Sequence, residues 1–107
     1  MALPTLTPEQ RADALLKAAA ARVRRSEVKT RLKRGTTTLS EVIKDAATDD
    51  TIGKMKVSAV LQAMPGVGKV RAAQIMDRLG IAEGRRVRGL GHQQRAALEA
   101  EFATVAA

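Results

Sequence analysis

The chain alternates apolar-periodic blocks with short polar breaks, and the apolar spacing is that of helices rather than strands. The first block opens at "TPEQ". Thr7 stands there as an N-cap, Pro8 at the first helical position and Gln10 at the capping-box position. Ala12, Leu15, Leu16, Ala19 and Val23 follow, thinning to Val28 and Leu32 before Gly35. The pattern predicts one helix from Pro8 to about Lys33, roughly 39 Å long. Its second half has only a thin apolar stripe, so that half is expected to project from the body.

"TLSE" repeats the capping box with Thr38 and Glu41. Leu39, Val42, Ile43 and Ala46 predict a short second helix, ending in the turn-like "TDDT" of Thr48 to Thr51. A third helix is expected from about Lys56 to Ala63, through Val57, Val60 and Leu61, and Pro65 forbids its continuation. A fourth runs from about Gly68 to Leu79 with Ala72, Ile75, Met76 and Leu79 inward, and Gly80 as its stop. "EGRRVRGLG" reads as a loop, and a fifth helix from about His92 to Ala103 carries Ala96, Ala97 and Phe102. No internal repeat is present, and the threonines at Thr36 to Thr38 are too few for a strand. The expectation is an all-α chain of about five helices. It divides into a long helix over residues 1–35 and a compact helical unit over 36–107.

The junction "MPGVGKVR" asks for more than a link. A helix stops at Pro65, reverses and restarts within a few residues. Gly66 and Gly68 can both take φ > 0, and Val67 between them can turn inward as a staple. A restarting helix presents N–H groups without intrahelical partners at the positive end of its dipole, which is an anion site. Gly68 would let a phosphate come close, with Lys69 and Arg71 at the rim. The plainer alternative is a corner between two helices that merely needs glycine. A nucleotide-binding P-loop is excluded, because "GVGK" lacks the GxxxxGK[ST] spacing and no strand precedes it.

Composition supplies the ligand class. The 107 residues make one domain, with 19 Lys and Arg against 11 Asp and Glu, a net charge of +8. Phe102 is the only aromatic, which disfavours single-stranded nucleic acid, read by stacking, and membrane surfaces, entered by Trp or Phe. Phosphates of a duplex or a folded RNA remain. No run approaches the roughly 20 apolar residues of a membrane span. The absence of cysteine, and of a signal-peptide pattern in "MALPTLTPEQ", suits a reducing, intracellular setting. The charge falls in two basic blocks, one over Arg22 to Arg34 and one over Lys54 to Arg88, with an acidic stretch between them.

Around the hairpin the sequence resembles the helix–hairpin–helix and helix–two-turns–helix families of nucleic-acid binders. "IGKMKVSAVLQAMPGVGKVRAAQIMDRLGI" followed by "RRVRGLG", with "EVKTRLKRG" and "LEAEF", is similar to the actinobacterial integration host factors, small nucleoid-associated proteins. The similarity spans about Pro8 to Phe102. It implies an all-helical fold, unlike that of the β-armed enterobacterial factor of the same name. It also implies binding of duplex DNA with low sequence specificity, bending or compacting it in the cytoplasmic nucleoid and supporting site-specific recombination. The family's contacts fall here on Pro65, Gly66, Val67, Gly68, Lys69, Val70 and Arg71, and on Arg85, Arg86 and Arg88.

The residues of "GRRVRG" support that placement on their own. Three arginines in four positions, bounded by Gly84 and Gly89 and without a nearby acid to pair, suit phosphates or a narrow minor groove. A solvated loop is the alternative. Lys54 and Lys56 could join the hairpin's footprint. Lys56, at a helix N-terminus where the dipole disfavours a cation, would gain from a bound phosphate. Arg22 to Arg34 reads equally as a solvated face or a phosphate-tracking arm. Lone His92 has no partners for a zinc site and reads as a cap or surface residue. Met55, Met64 and Met76 read as core filler.

No enzyme and no cofactor are expected. In lyase-type glycosylases that resemble this hairpin, the Schiff-base lysine falls two residues after the second glycine, where this chain has Val70. The competing reading is a helix–two-turns–helix RNA binder of ribosomal type. Such proteins carry a long basic tail, and "EAEFATVAA" is acidic and apolar, so DNA is favoured. The expected partner is double-stranded DNA, with no membrane and no small-molecule substrate. A monomer is compatible with every pattern read here.

Overall fold

The computed structural model describes residues 5–103. The sequence readings made on Met1 to Pro4 and on Thr104 to Ala107 lie outside them. Among the described residues there are six α-helices: α1 Pro8–Arg34, α2 Leu39–Asp45, α3 Asp50–Gly53, α4 Val57–Gln62, α5 Lys69–Arg78 and α6 His92–Ala103. A short 3-10 turn, Val87–Gly89, precedes α6. None of the helices is long and apolar enough to cross a membrane.

α1 begins as the sequence dictates. The Thr7 hydroxyl accepts from the Gln10 N–H at 3.1 Å, and the Gln10 side chain accepts from the Thr7 N–H at 3.0 Å. It ends at Gly35, whose φ of 74° closes the last turn. The half of α1 expected to project does the opposite. Val28 and Leu32 are buried, whereas Leu15 and Leu16 are 63% and 69% exposed. The reason is geometric. Two well-placed side chains, one turn apart, suffice to seat a helix on a core. The more numerous apolar residues of the first half meet no partner element. That half contributes to a long axis of 51 Å, against 32 and 25 Å across.

"TDDT" is not a simple turn. Asp49 caps a further one-turn helix, its Oδ1 accepting from the N–H groups of Thr51 at 3.0 Å and Ile52 at 3.3 Å. Ile52 thereby reaches the core beside Val42, Ile43, Val57, Val60, Leu61, Ala72, Ile75 and Met76. Met55 joins them, and Met64 packs against the same cluster. On α6 the residue that enters the core is Leu98, with no exposed surface; Ala96 stays outside, and Phe102 is half-buried against the cluster. α4 packs on α5, α1 on α3, and α2 on both α3 and α6.

Candidate nucleic-acid interface

The α4–α5 junction is a tight turn over Met64 to Val67. The Val67 N–H donates to the Met64 carbonyl at 3.1 Å, Pro65 holds the second position and Gly66 the third, with φ 76°. That is the arrangement of a type II turn, in which the third residue must have positive φ. Val67 then points into the core at 7% exposure, as a staple should. Gly68 departs from expectation. Its φ of −91° and ψ of −176° are ordinary extended values, so the fold does not need a glycine there. A Cβ at Gly68 would meet no atom within 4 Å, so the space above it is open.

Gly68 is the N-cap of α5 and offers no side-chain cap. The first helical bond runs from Ala72 N–H to Gly68 O at 2.9 Å. The N–H groups of Lys69, Val70 and Arg71 precede it and have no acceptor among the described residues. By contrast α1, α2 and α3 are each capped by a side chain. Lys69 and Arg71 are exposed and form no ion pair among the described residues. Val70 is 71% exposed.

The arginine loop is less free than its sequence suggested. Val57 N–H donates to Arg85 O at 3.0 Å and Val87 N–H to Met55 O at 2.9 Å. These bonds strap the loop to the start of α4 and set Lys56 beside Arg86. Buried Val87 anchors it. Arg85 folds back to the Gly89 carbonyl at 2.9 Å. Arg88, expected to have no acid nearby, pairs with Asp50, which also holds Lys54 at 3.1 Å. The acid comes from α3, far away in sequence but packed against the 3-10 turn. Arg88 and Lys54 hold the Asp50 carboxyl below the usual carboxylate range. Arg86 and Lys56 have no ion-pair partner among the described residues.

Gly53 is a contributor that the sequence reading passed over. A Cβ there would lie 3.0 Å from Arg88 Nε and 3.1 Å from the Ala46 carbonyl. Its absence lets Arg88 lie across α3 toward Asp50. The only sequence signal was a glycine inside "TIGK". Lys56 is the N-cap of α4. Lys54 and Lys56 therefore belong with the arginine loop, at the end of α4 opposite the hairpin. α4 is about 9 Å long, and the two cationic groups lie at its opposite ends. His92 is exposed at the start of α6.

Two successive turns, Leu61 to Met64, closed by Met64 N–H to Leu61 O at 3.0 Å, and Met64 to Val67, join α4 to a glycine-led α5 N-terminus that faces outward, and this defines a helix–two-turns–helix protein. The family model for the S13-like H2TH domain matches residues 32–102. Integration host factor of Streptomyces coelicolor is 69% identical over 102 residues, 95% of either chain. Integration host factor of Mycobacterium tuberculosis is 63% identical over 102 residues, 95% of this chain and 97% of that one. The structure of sIHF bound to an 8bp palindromic DNA superposes with a TM-score of 0.79 at 66% identity, covering 80% of this chain and 97% of that one. The chain belongs to the actinobacterial integration host factor family.

Proposed function

We propose that this protein is a non-enzymatic, architectural binder of duplex DNA in the nucleoid. One cationic group, Pro65 to Arg71, grips phosphates through the free N–H groups of α5, with Lys69 and Arg71 at the rim. The other, Arg85, Arg86, Arg88 and Gly89 with Lys54 and Lys56, meets the backbone or minor groove further along the duplex. Binding at two points on a rigid body favours DNA that bends to reach both, which suits compaction and support of recombination.

The observation that carries the reading is the uncapped N-terminus of α5 behind Gly68, in a chain 66% identical to one bound to DNA. Free amides and a glycine the backbone does not require are what a close-approaching phosphate needs. Backbone amides and cations that grip phosphates carry no sequence information directly, so specificity should be low. The exposed Val70, where lyase-type relatives of the hairpin place a nucleophile, argues for binding without catalysis. Fluorescence anisotropy with labelled duplex across a salt series tests the reading. Log affinity should fall linearly and steeply with log salt. Equal-length single strands should bind more weakly in the same buffer. A flat salt dependence, or tighter binding of single strands, overturns it.

A further inference from the structure

The grooves flanking Gln62 differ in charge. Gln62 is exposed at the end of α4, next to the hairpin. On one flank, between α4 and α5, the groove carries Asp77 and Glu83 as well as Lys69. On the other flank it runs from Lys29 and Lys33 of α1, over Ala59, Gln62 and Ala63, to Gly66 and Gly68 of the hairpin, with no acid among its lining residues. Lys33 thus shares one groove with the glycines of the hairpin, although more than thirty residues separate them in the chain.

The cations of α1 are sorted by face. Arg22, Lys29 and Lys33 lie seven and four residues apart and so form one stripe. None of them has an ion-pair partner among the described residues. Arg24 lies on the other side of the helix and is bound to Glu27 and Asp49. From Arg22 to Lys33 the stripe extends roughly 16 Å along the axis.

Resting on the proposed duplex binding by the hairpin, we infer that the Arg22–Lys29–Lys33 face of α1 is the second wall of the same phosphate seat. One strand of the duplex leaves the hairpin amides, crosses Gln62 and follows α1. Ala59 and Ala63 keep the floor low enough for a sugar-phosphate chain to come near. The Gln62 amide donates from the floor, and the lysines neutralise from the wall. The acidic groove on the opposite flank sets the direction, because a polyanion is repelled there.

The test compares full-length variants on one short mixed-sequence duplex, each checked for a wild-type helical circular-dichroism spectrum. Lys29→Ala with Lys33→Ala should lower the slope of log affinity against log salt by about two units. Arg31→Gln with Arg34→Gln removes the same charge from another face of α1, and should lower it by less than half as much. Gln62→Glu places a carboxylate on the floor and should weaken binding at least as far as Lys69→Ala does. If the lysine pair matches wild type or the Arg31/Arg34 control while Lys69→Ala still reduces the slope, the α1 wall is wrong and the hairpin stands. If neither the lysine pair nor Lys69→Ala reduces it, both readings fall.

Discussion

Arg24 Nε donates a 3.0 Å hydrogen bond to Asp49 Oδ2, joining the middle of α1 to the cap of α3. The other oxygen of the same carboxylate caps α3. One side chain therefore fixes a helix start and removes one cation from α1's surface charge. The stripe of Arg22, Lys29 and Lys33 keeps its full charge because no such acid faces it.

This arrangement predicts a pH dependence. Burial opposes charge on Asp49, but the Arg24 hydrogen bond, the Ile52 and Thr51 amides and the Arg24 charge outweigh it, so its pKa lies below the ordinary 3.8. A depressed folded pKa contributes stability that is complete above the unfolded value and lost as pH falls through the folded one. Asp49→Asn keeps an oxygen that can cap α3 but loses the charge, so it should cost less than about 1 kcal/mol in urea unfolding near neutrality, since Arg24 is partly in water. The gap between variant and wild type should close below pH 3.8. A gap that persists unchanged at pH 2.5 to 3 would remove the charge from the explanation.

The two hairpin glycines should separate stability from binding. Gly66→Ala forces a Cβ onto φ 76° and should destabilise the protein by about 1 kcal/mol or more. Gly68→Ala has open space and ordinary dihedrals, so the melting temperature should hold while duplex affinity falls. Gly68→Glu should bind worse still, since it sets a carboxylate where phosphate approaches. A folded Gly68→Glu protein with wild-type affinity would reduce the hairpin to a corner.

Gly53→Ala should act on the arginine loop from beneath. The added methyl lies 3.0 Å from Arg88 Nε and 3.1 Å from a backbone oxygen. Arg88 can swing away but the Ala46 carbonyl cannot, so a loss of about 1–3 kcal/mol is expected. Asp50→Ala also frees Arg88 without that clash. It should leave the melting temperature within a few degrees and raise duplex affinity at low salt, because two cations lose their internal anion. Weaker binding by Asp50→Ala would mean that the pair positions Arg88 rather than neutralising it.

Arg86 and Lys56 provide the check on the second group. Arg86→Ala with Lys56→Ala removes two unpaired, exposed cations, and the salt slope should drop by about two units with the fold intact. Arg88→Ala, whose charge is already partly met by Asp50, should matter less. The reverse order in an anisotropy series would show that Asp50 yields Arg88 to the DNA.

Local chemistry was legible in the sequence. The cap at Thr7, the stop at Pro65 and the inward turn of Val67 depend on neighbouring residues and stand in the structure; at Thr38 the hydroxyl caps α2, but the expected capping box does not close, because Glu41 accepts from the Thr37 hydroxyl instead. The all-helical class follows from the same periodicity, and the hairpin motif with the basic balance pointed to the family. What could not be read were properties that residues distant in sequence impose on each other. Only packing shows that Val28 and Leu32 seat α1 while Leu15 and Leu16 remain outside. Only the placement of α3 gives Asp50 to Arg88 and Asp49 to Arg24. Gly66 and Gly68 look alike in sequence, yet the turn requires positive φ at one alone. Helix formation is set by short-range spacing and capping, whereas the state of a charge depends on what the fold brings within a few ångströms of it.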